Sequence, residues 1–157
     1  MSFHRLRRAP LLAAIIALAA AIPTTALAAV PQGVWLIDGR AAVQIYDCAG
    51  LMCGRIIWLK VPRNLLGQLD RDKHNPNPAL RERGLCGLTM LWNLHPDGPN
   101  RWKDGWFYNP DDGKTYRVSA QLTSDDVMTA HIYVGVPLFG KDKTLARVPH
   151  GVTEGWC

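Results

Sequence analysis

Apolar and polar residues alternate along much of the chain, most regularly between positions 114 and 122. One face of this segment is apolar and the other is polar, with Tyr116, Val118, Ala120 and Leu122 set against Arg117, Ser119 and Gln121. A period of two residues predicts a half-buried antiparallel strand. An aromatic strand precedes it, and the turn between the two contains Pro110 and Gly113, which favour tight turns. The segment 102–122 is therefore predicted to be a β-hairpin.

Short apolar segments of the same kind recur along the chain and are separated by turn residues. Besides the hairpin, the predicted strands cover residues 33–37, 41–48, 53–59, 85–92, 127–134 and 144–148. Nearly all of them are sequential neighbours, and closing such a meander into a barrel removes its exposed strand edges. We therefore predict an all-β fold, a small up-and-down antiparallel β-barrel of about eight strands with one long loop or short helix. A β-sandwich is the alternative.

The segment 60–84 interrupts this pattern and is predicted to be the long loop. Its residues that break regular elements are Pro62, Gly67, Pro76 and Pro78. A short helical turn can begin at the last of these, because proline is tolerated in a first turn. A connection of this length is typical either of a functional lid or of a solvated excursion, and the sequence leaves both open. As a lid over one end of the barrel, it would turn Arg81 or Asn75 toward the interior.

The N-terminal residues have the pattern of a secretory signal peptide. Its basic residues are Arg5, Arg7 and Arg8. An apolar run of 12 residues follows at 11–22, and Ala-Leu-Ala at 26–28 matches a cleavage site. The run is shorter than the roughly 20 residues that span a bilayer. We expect residues 1–28 to be cleaved and residues 29–157 to form a single β-barrel domain without a transmembrane segment. The expected location is periplasmic or secreted, in a bacterium.

The charge of the remaining chain argues against nucleic-acid binding. Cleavage would remove three of the 18 basic residues and none of the 13 acidic residues, which leaves a formal charge of +2. The basic residues form no stripe, so we expect no nucleic-acid partner.

Four cysteines follow the predicted cleavage site, and an even number in an exported chain favours two disulfides. Cys48 and Cys53 flank a predicted hairpin tip, so we pair them with each other. Cys86 and Cys157 then pair by elimination.

Several motifs resemble those of a bacterial exported family, the domain of unknown function 2147. The motif residues are Cys53-Gly54-Arg55, Trp58-Leu59, Asn75-Pro76, Arg81, Gly87, Gly105, Tyr108, Pro110, Gly113-Lys114 and Tyr116. The resemblance covers nearly all of the chain after residue 28, implies a small β-barrel in the cell envelope, and carries over no catalytic residue. The chain departs from the family pattern at Leu145, where the family has Trp, and at His131-Ile132, where it has Arg-Gly.

The two ends of the predicted barrel also resemble the lipocalin-like, or calycin, superfamily. Gly33 and Trp35 lie in the first strand, and Arg147 lies in the last. In that superfamily the Trp and the Arg close the barrel, so the resemblance implies that Trp35 and Arg147 are in contact.

The chain shows no recognisable catalytic or metal-binding pattern. No serine lies in a nucleophile elbow, and His74, His95, His131 and His150 form no metal-binding pair. We therefore expect no catalytic residue, no metal site and no cofactor, and we predict that the protein is not an enzyme.

Aromatic residues and polar motif residues instead suggest a shallow binding site near the long loop. The candidate ligand-binding residues are Arg55, Asn75, Arg81, Asp104, Trp106, Lys114 and Tyr116. The ligand expected for such a site is small and amphipathic or anionic. The leading hypothesis is a non-catalytic exported envelope protein that binds a small molecule. The alternatives are a structural or protein-interaction barrel without a pocket and, less favoured, a periplasmic enzyme.

Overall fold

The computed structural model describes residues 29–149, in which eight strands form a closed antiparallel barrel. The strands are β1 (Gly33–Ile37), β2 (Ala41–Asp47), β3 (Met52–Leu59), β4 (Thr89–Pro96), β5 (Arg101–Asn109), β6 (Lys114–Ser124), β7 (Val127–Tyr133) and β8 (Gly140–Arg147). Each strand pairs with the next, and β8 pairs with β1. Two 3-10 helices, Pro78–Leu80 and Pro137–Phe139, lie in the β3–β4 and β7–β8 connections. The predicted up-and-down barrel is confirmed, and the sandwich is excluded.

The barrel closes where β1 and β8 pair, with Trp35 opposite Arg147. The guanidinium carbon of Arg147 lies 4.2 Å from the ring centroid of Trp35. This cation–π contact is strengthened because the indole is fully buried. Arg147 Nη1 also donates to the Gln32 carbonyl at 2.8 Å, and Trp35 Nε1 donates to the Pro31 carbonyl at 3.1 Å. The first and last strands are thus joined by side chains as well as by the backbone ladder.

The two departures from the family pattern both lie in regular strands. Leu145 pairs with Ile37 of β1 and is only 2% exposed, so its side chain belongs to the core. His131 pairs with Asp142 in the β7–β8 ladder. That ladder extends back to Gly140, and for this reason β8 begins four residues earlier than predicted.

The fourth strand lies further along the chain than predicted, because the apolar residues before it are buried without being in a strand. Leu85 and Leu88 are buried, and they belong to a turn in which Leu88 N donates to Leu85 O. The carbonyl of Leu88 also accepts from Ile56 N in β3. The predicted end of this strand at residue 92 is also too early, since His95 and the following proline still pair with β5.

The long β3–β4 connection has its own hydrogen-bonded structure. Isolated bridges join Arg63 to Leu69 and Arg71 to Gly84. The connection also packs against the β5–β6 turn, where Gly113 has a φ of +68° and a Cβ would lie 1.9 Å from the His74 carbonyl oxygen. A side chain at this position would therefore push the connection away from the barrel.

A fully buried carboxylate, Asp72, holds the connection to β5. Asp72 is 0% exposed and accepts hydrogen bonds from the hydroxyl of Tyr108, from Asn75 Nδ2 at 2.7 Å and from Arg83 Nε at 2.8 Å. Arg83 Nη2 lies 2.7 Å from the same carboxylate, so the buried charge is both paired and hydrogen-bonded. The network joins two parts of the connection, around Asp72 and at Arg83, to Tyr108 of β5.

One of the two predicted disulfides lies within the described residues. Cys48 and Cys53 are bonded across the β2–β3 turn, which confirms that pairing. The second predicted bridge, between Cys86 and Cys157, stays a prediction because Cys157 lies outside the described residues.

The two ends of the barrel differ in how their interiors are packed. At the end that carries the β2–β3, β4–β5 and β6–β7 turns, six large side chains are 2% exposed or less: Trp35, Ile45, Met52, Leu94, Trp102 and Met128. We call this the filled end. The opposite end carries the β1–β2, β3–β4, β5–β6 and β7–β8 connections, and we call it the open end. Within residues 29–149, none of the helices has the length and apolar character needed to cross a membrane.

Candidate functional site

A cavity of about 570 Å³ occupies the open end of the barrel. Its wall is built of apolar side chains, which include Ile56, Leu85, Met90, Leu91, Phe107, Val118, Ala130, Ile132 and Leu145. The volume lies within the range of about 300–1,000 Å³ that is usual for ligand pockets. The cavity can therefore enclose the apolar part of a small molecule.

The cavity is present because the side chains that point inward at this end do not fill the interior of the barrel. Ala130 lies between Ala120 of β6 and Lys143 of β8, and its methyl group leaves room in front of the wall. At the filled end the packing is much tighter, since a Cβ on Gly105 would lie 2.2 Å from Leu94 Cγ. A ligand can thus enter only part of the barrel.

Charged residues of the cavity lining come mainly from the connections and strand ends around the mouth. The basic ones are Arg40, Lys60, Arg63, Lys73 and Lys143, and the acidic ones are Asp38, Asp70 and Asp111. The ammonium of Lys143 pairs with Asp38. Within the described residues, no salt bridge involves Arg40, Lys60 or Lys73. The rim therefore has an excess of positive charge, and three of its cations are available to a ligand.

None of the seven predicted ligand-binding residues lines this cavity. Arg55 is exposed on β3, where its Nε donates to Gln44 Oε1 at 2.9 Å and its guanidinium lies 5.8 Å from the Tyr46 ring centroid. It points outward because its neighbours Gly54 and Ile56 face the interior, and successive side chains of a strand alternate between faces.

Asn75 and Arg81 lie together in the β3–β4 connection, away from the cavity lining. Asn75 is buried and donates to Asp72 and to the Tyr108 hydroxyl. Arg81 is exposed, and its Nε donates to the Asn75 carbonyl at 2.8 Å. Both residues support the fold of the connection. Other residues of the connection, which include Lys60, Arg63 and Lys73, border the cavity.

Asp104 and Trp106 are brought together on the outer surface by Arg117. Its guanidinium carbon lies 4.4 Å from the Trp106 ring centroid, and its Nη2 lies 3.3 Å from Asp104 Oδ1. These contacts lie on the face opposite to cavity-lining Phe107.

Lys114 and Tyr116 follow the β5–β6 turn near the mouth. Tyr116 packs against Phe107 with ring centroids 6.3 Å apart, and its hydroxyl donates to Asp112 Oδ2 at 2.5 Å. That hydrogen bond raises the pKa of Tyr116. Lys114 is exposed. Of the seven predicted residues, Tyr116 is the one in ring contact with the cavity wall.

A smaller depression of about 300 Å³ lies over β5, β6, β7 and β8. Four of its five charged or titratable side chains are paired with each other, Lys103 with Asp97 at 2.9 Å and His131 with Asp142 at 2.5 Å, and Arg101 Nε donates to the Asp97 carbonyl at 3.3 Å. The hydrogen bond from Lys103 lowers the pKa of Asp97, and the one with Asp142 raises the pKa of His131. Since most of these charges pair with one another and the depression has about half the volume, the larger cavity is the better candidate site.

The buried Asp72–Tyr108 pair is a feature that the sequence interpretation missed. Burial raises the pKa of Tyr108, and its hydrogen bond to Asp72 adds to that effect. Both side chains are closed off from solvent and from the cavity, so their role is to hold the connection in place. The described residues contain no group of three or more side chains suited to hold a metal ion.

Comparisons with known proteins agree with this architecture. No curated protein matches the sequence. A solved structure, described as protein HP1028 from the human pathogen Helicobacter pylori and as belonging to the lipocalin family, is similar, with a TM-score of 0.66 and 27% sequence identity. The similarity covers 76% of this chain and 84% of that one. The sequence model of DUF2147, described as an uncharacterized protein conserved in bacteria, matches residues 33–147, and the chain therefore belongs to this family of lipocalin-like domains.

Proposed function

We propose that this protein is a non-catalytic, exported envelope protein that binds a small amphipathic anion in the cavity at the open end of the barrel. The observation that carries the proposal is the combination of an apolar wall with a rim rich in basic residues. An apolar tail would occupy the cavity, and an acidic head group would stay at the mouth. The similarity to a protein of the lipocalin family supports a binding role.

The apolar tail is expected to supply most of the affinity. Burying each methylene group contributes about 0.8 kcal/mol, which is a factor of about four in the dissociation constant. The wall offers aliphatic and aromatic side chains, such as Met90, Leu91 and Phe107, that match an alkyl chain in polarity.

The head group is expected to be anionic because of the cations at the rim. Lys60 and Lys73 have no salt-bridge partner within residues 29–149, and both border the mouth. A carboxylate or phosphate held there could pair with them while remaining partly hydrated, and this avoids the cost of burying a charge.

A series of straight-chain carboxylates of increasing length tests this proposal by calorimetry. The dissociation constant should fall about fourfold with each added methylene and then level off when the cavity is full. The Lys60→Glu, Lys73→Glu double variant should weaken carboxylate binding on the order of tenfold, because two attractive charges become repulsive.

The matched control is Arg101→Glu, a charge reversal at the filled end, which should leave binding unchanged. Methyl esters of the same acids should be insensitive to the lysine substitutions. If no member of the series binds the wild-type protein, a structural or interaction role without a ligand replaces the proposal.

Export is the second part of the proposal. It is supported by the basic and apolar pattern of residues 1–28 and by the Cys48–Cys53 disulfide, since disulfides persist in oxidising compartments. In a bacterial host, the intact mass of the protein recovered from the periplasmic fraction should correspond to a chain that begins at Ala29. An uncleaved chain confined to the cytoplasm would contradict this part.

A further inference from the structure

All the large hydrophobic side chains that are exposed within residues 29–149 belong to connections at the open end. Four belong to the β3–β4 connection before residue 70 and four to the β7–β8 connection: Val61, Leu65, Leu66 and Leu69, with Val134, Val136, Leu138 and Phe139. The remaining one, Leu80, also lies in the β3–β4 connection, in its 3-10 helix. Such a concentration at one end of a barrel requires an explanation, because exposed apolar clusters mark contact surfaces.

The first cluster is the tip of a small hairpin, residues 63–69, which we call the leucine tip. Arg63 and Leu69 form its isolated bridge, and the Asn64 side chain accepts from the backbone N–H groups of Leu66 and Gln68. The turn therefore satisfies its own polar groups while it presents Leu65 and Leu66 at 106% and 81% exposure. These leucines are held outward by a structured turn.

The second cluster is the 3-10 helix Pro137–Phe139, which we call the phenylalanine tip. Leu138 and Phe139 are 84% and 75% exposed. His131 fixes the base of this connection, because its Nε2 lies 2.6 Å from the Pro137 carbonyl oxygen and its Nδ1 lies 2.5 Å from Asp142 Oδ1. Both partners are acceptors, so both ring nitrogens donate when the imidazole is protonated.

The two tips belong to connections that leave the barrel on opposite sides of the mouth. The β3–β4 and β7–β8 connections are separated by β5 and β6 on one side of the closed barrel and by β1 and β2 on the other. The phenylalanine tip contains no charged residue, and residues 61–69 contain one, Arg63. Arg40, Lys60 and Lys73 lie at the rim of the same mouth.

We propose that the open end docks on the surface of an anionic lipid bilayer, with the leucine tip and the phenylalanine tip inserted among the lipids and the basic rim facing the head groups. Amphipathic surfaces that combine exposed apolar side chains with Lys and Arg bind membrane interfaces in this way. A protein partner would need a continuous matching surface of roughly 800 Å² per side. Two separate tips across an open mouth do not provide such a surface, whereas a fluid bilayer accommodates both.

Docking would bring the mouth of the cavity directly against the membrane. This inference goes beyond the proposed ligand and stands without it, because neither Leu65 nor Leu66 lines the cavity. An amphipathic molecule could then pass between bilayer and barrel without crossing water.

Flotation with lipid vesicles tests the inference on the chain that begins at residue 29. The protein should bind vesicles of phosphatidylethanolamine and phosphatidylglycerol, bind vesicles of phosphatidylcholine alone less well, and dissociate as salt is raised. The Leu65→Ser, Leu66→Ser variant and the Leu138→Ser, Phe139→Ser variant should each reduce vesicle binding about tenfold or more.

Leu80→Ser, which removes an exposed leucine outside both tips, is the matched control and should bind vesicles like the wild type. The melting temperature and the affinity for soluble carboxylates should be unchanged in both tip variants, and this separates docking from the cavity function. Absence of vesicle binding by the wild type, or equal binding by the wild type and both tip variants, would overturn the inference. So would a soluble dimer that the tip substitutions dissociate, because the tips would then form a contact between two copies of the chain.

Discussion

Replacing Asp72 with alanine should lower the free energy of unfolding by about 3 kcal/mol, the lower limit for removing one partner of a buried ion pair. The carboxylate is fully buried and is the shared acceptor of Tyr108, Asn75 and Arg83. Without it, Tyr108 and Arg83 lose this acceptor and Asn75 loses one of its two acceptors, while Tyr108 and Asn75 are buried. Arg83 is partly exposed and can regain hydration, which is why the lower limit applies.

Urea unfolding followed by tryptophan fluorescence measures this effect. Glu82→Ala is the matched control, since Glu82 is an exposed acid of the same connection whose ion pair with Arg71 should contribute less than about 1 kcal/mol. Tyr108→Phe should cost about 1–2 kcal/mol, because it removes the hydroxyl that donates to Asp72 and accepts from Asn75 while it keeps the ring. If Asp72→Ala unfolds at the same urea concentration as Glu82→Ala, the network does not hold the connection to the barrel.

Filling the cavity should abolish ligand binding with little loss of fold. Ala130 lines the cavity and points into the interior from β7, so the phenyl ring of an Ala130→Phe variant would occupy space assigned to the ligand. If the ring excludes about four methylene groups of the ligand from the cavity, about 3 kcal/mol of binding free energy is lost. This corresponds to a loss of more than about a hundredfold in affinity. Calorimetric titration with the longest carboxylate that binds the wild type would measure this loss of affinity.

Ala146→Phe is the control for this substitution. Ala146 lies in the neighbouring strand β8, but its side chain is exposed, so the same change there adds a ring outside the barrel. The affinity of the Ala146→Phe variant for the carboxylate should equal that of the wild type. Undiminished binding by a folded Ala130→Phe protein would show that the ligand site lies elsewhere.

Much of the fold could be predicted because strands and turns have characteristic local patterns of residues in the sequence. The alternation from Tyr116 to Leu122 and the turn at Pro110–Gly113 correspond to β6 and to the turn before it. Local patterns were misleading where a buried turn imitates a strand. Leu85 and Leu88 are apolar because the turn they form packs on the core, and no local signal separates that case from a strand.

The candidate site was much less predictable, because a cavity is defined by space rather than by residue type. Its wall residues, such as Leu91 and Val118, are ordinary aliphatic side chains that the sequence presents as core. Arg55 was a candidate as a polar motif residue and Trp106 as an aromatic residue, yet strand alternation turns both outward. Asp72 is one of several acids in a charged segment, and only its burial against Tyr108 sets it apart. Which connections share one end of the barrel is known only once the strand order is known.

The separation between the filled end and the open end places the closure of the barrel away from the residues around the cavity mouth, many of which can be varied. The pair formed by Trp35 and Arg147 and the Cys48–Cys53 bridge belong to the filled end, and none of these four residues borders the cavity. Substitutions in the open-end connections would therefore change which molecules the barrel accepts while the closure of the barrel is preserved. Such a chain is a suitable scaffold for engineering: residues 61–69 of the β3–β4 connection, which precede Asp72 and the buried Leu85 and Leu88, or the β7–β8 connection could be varied for other ligands without redesigning the core.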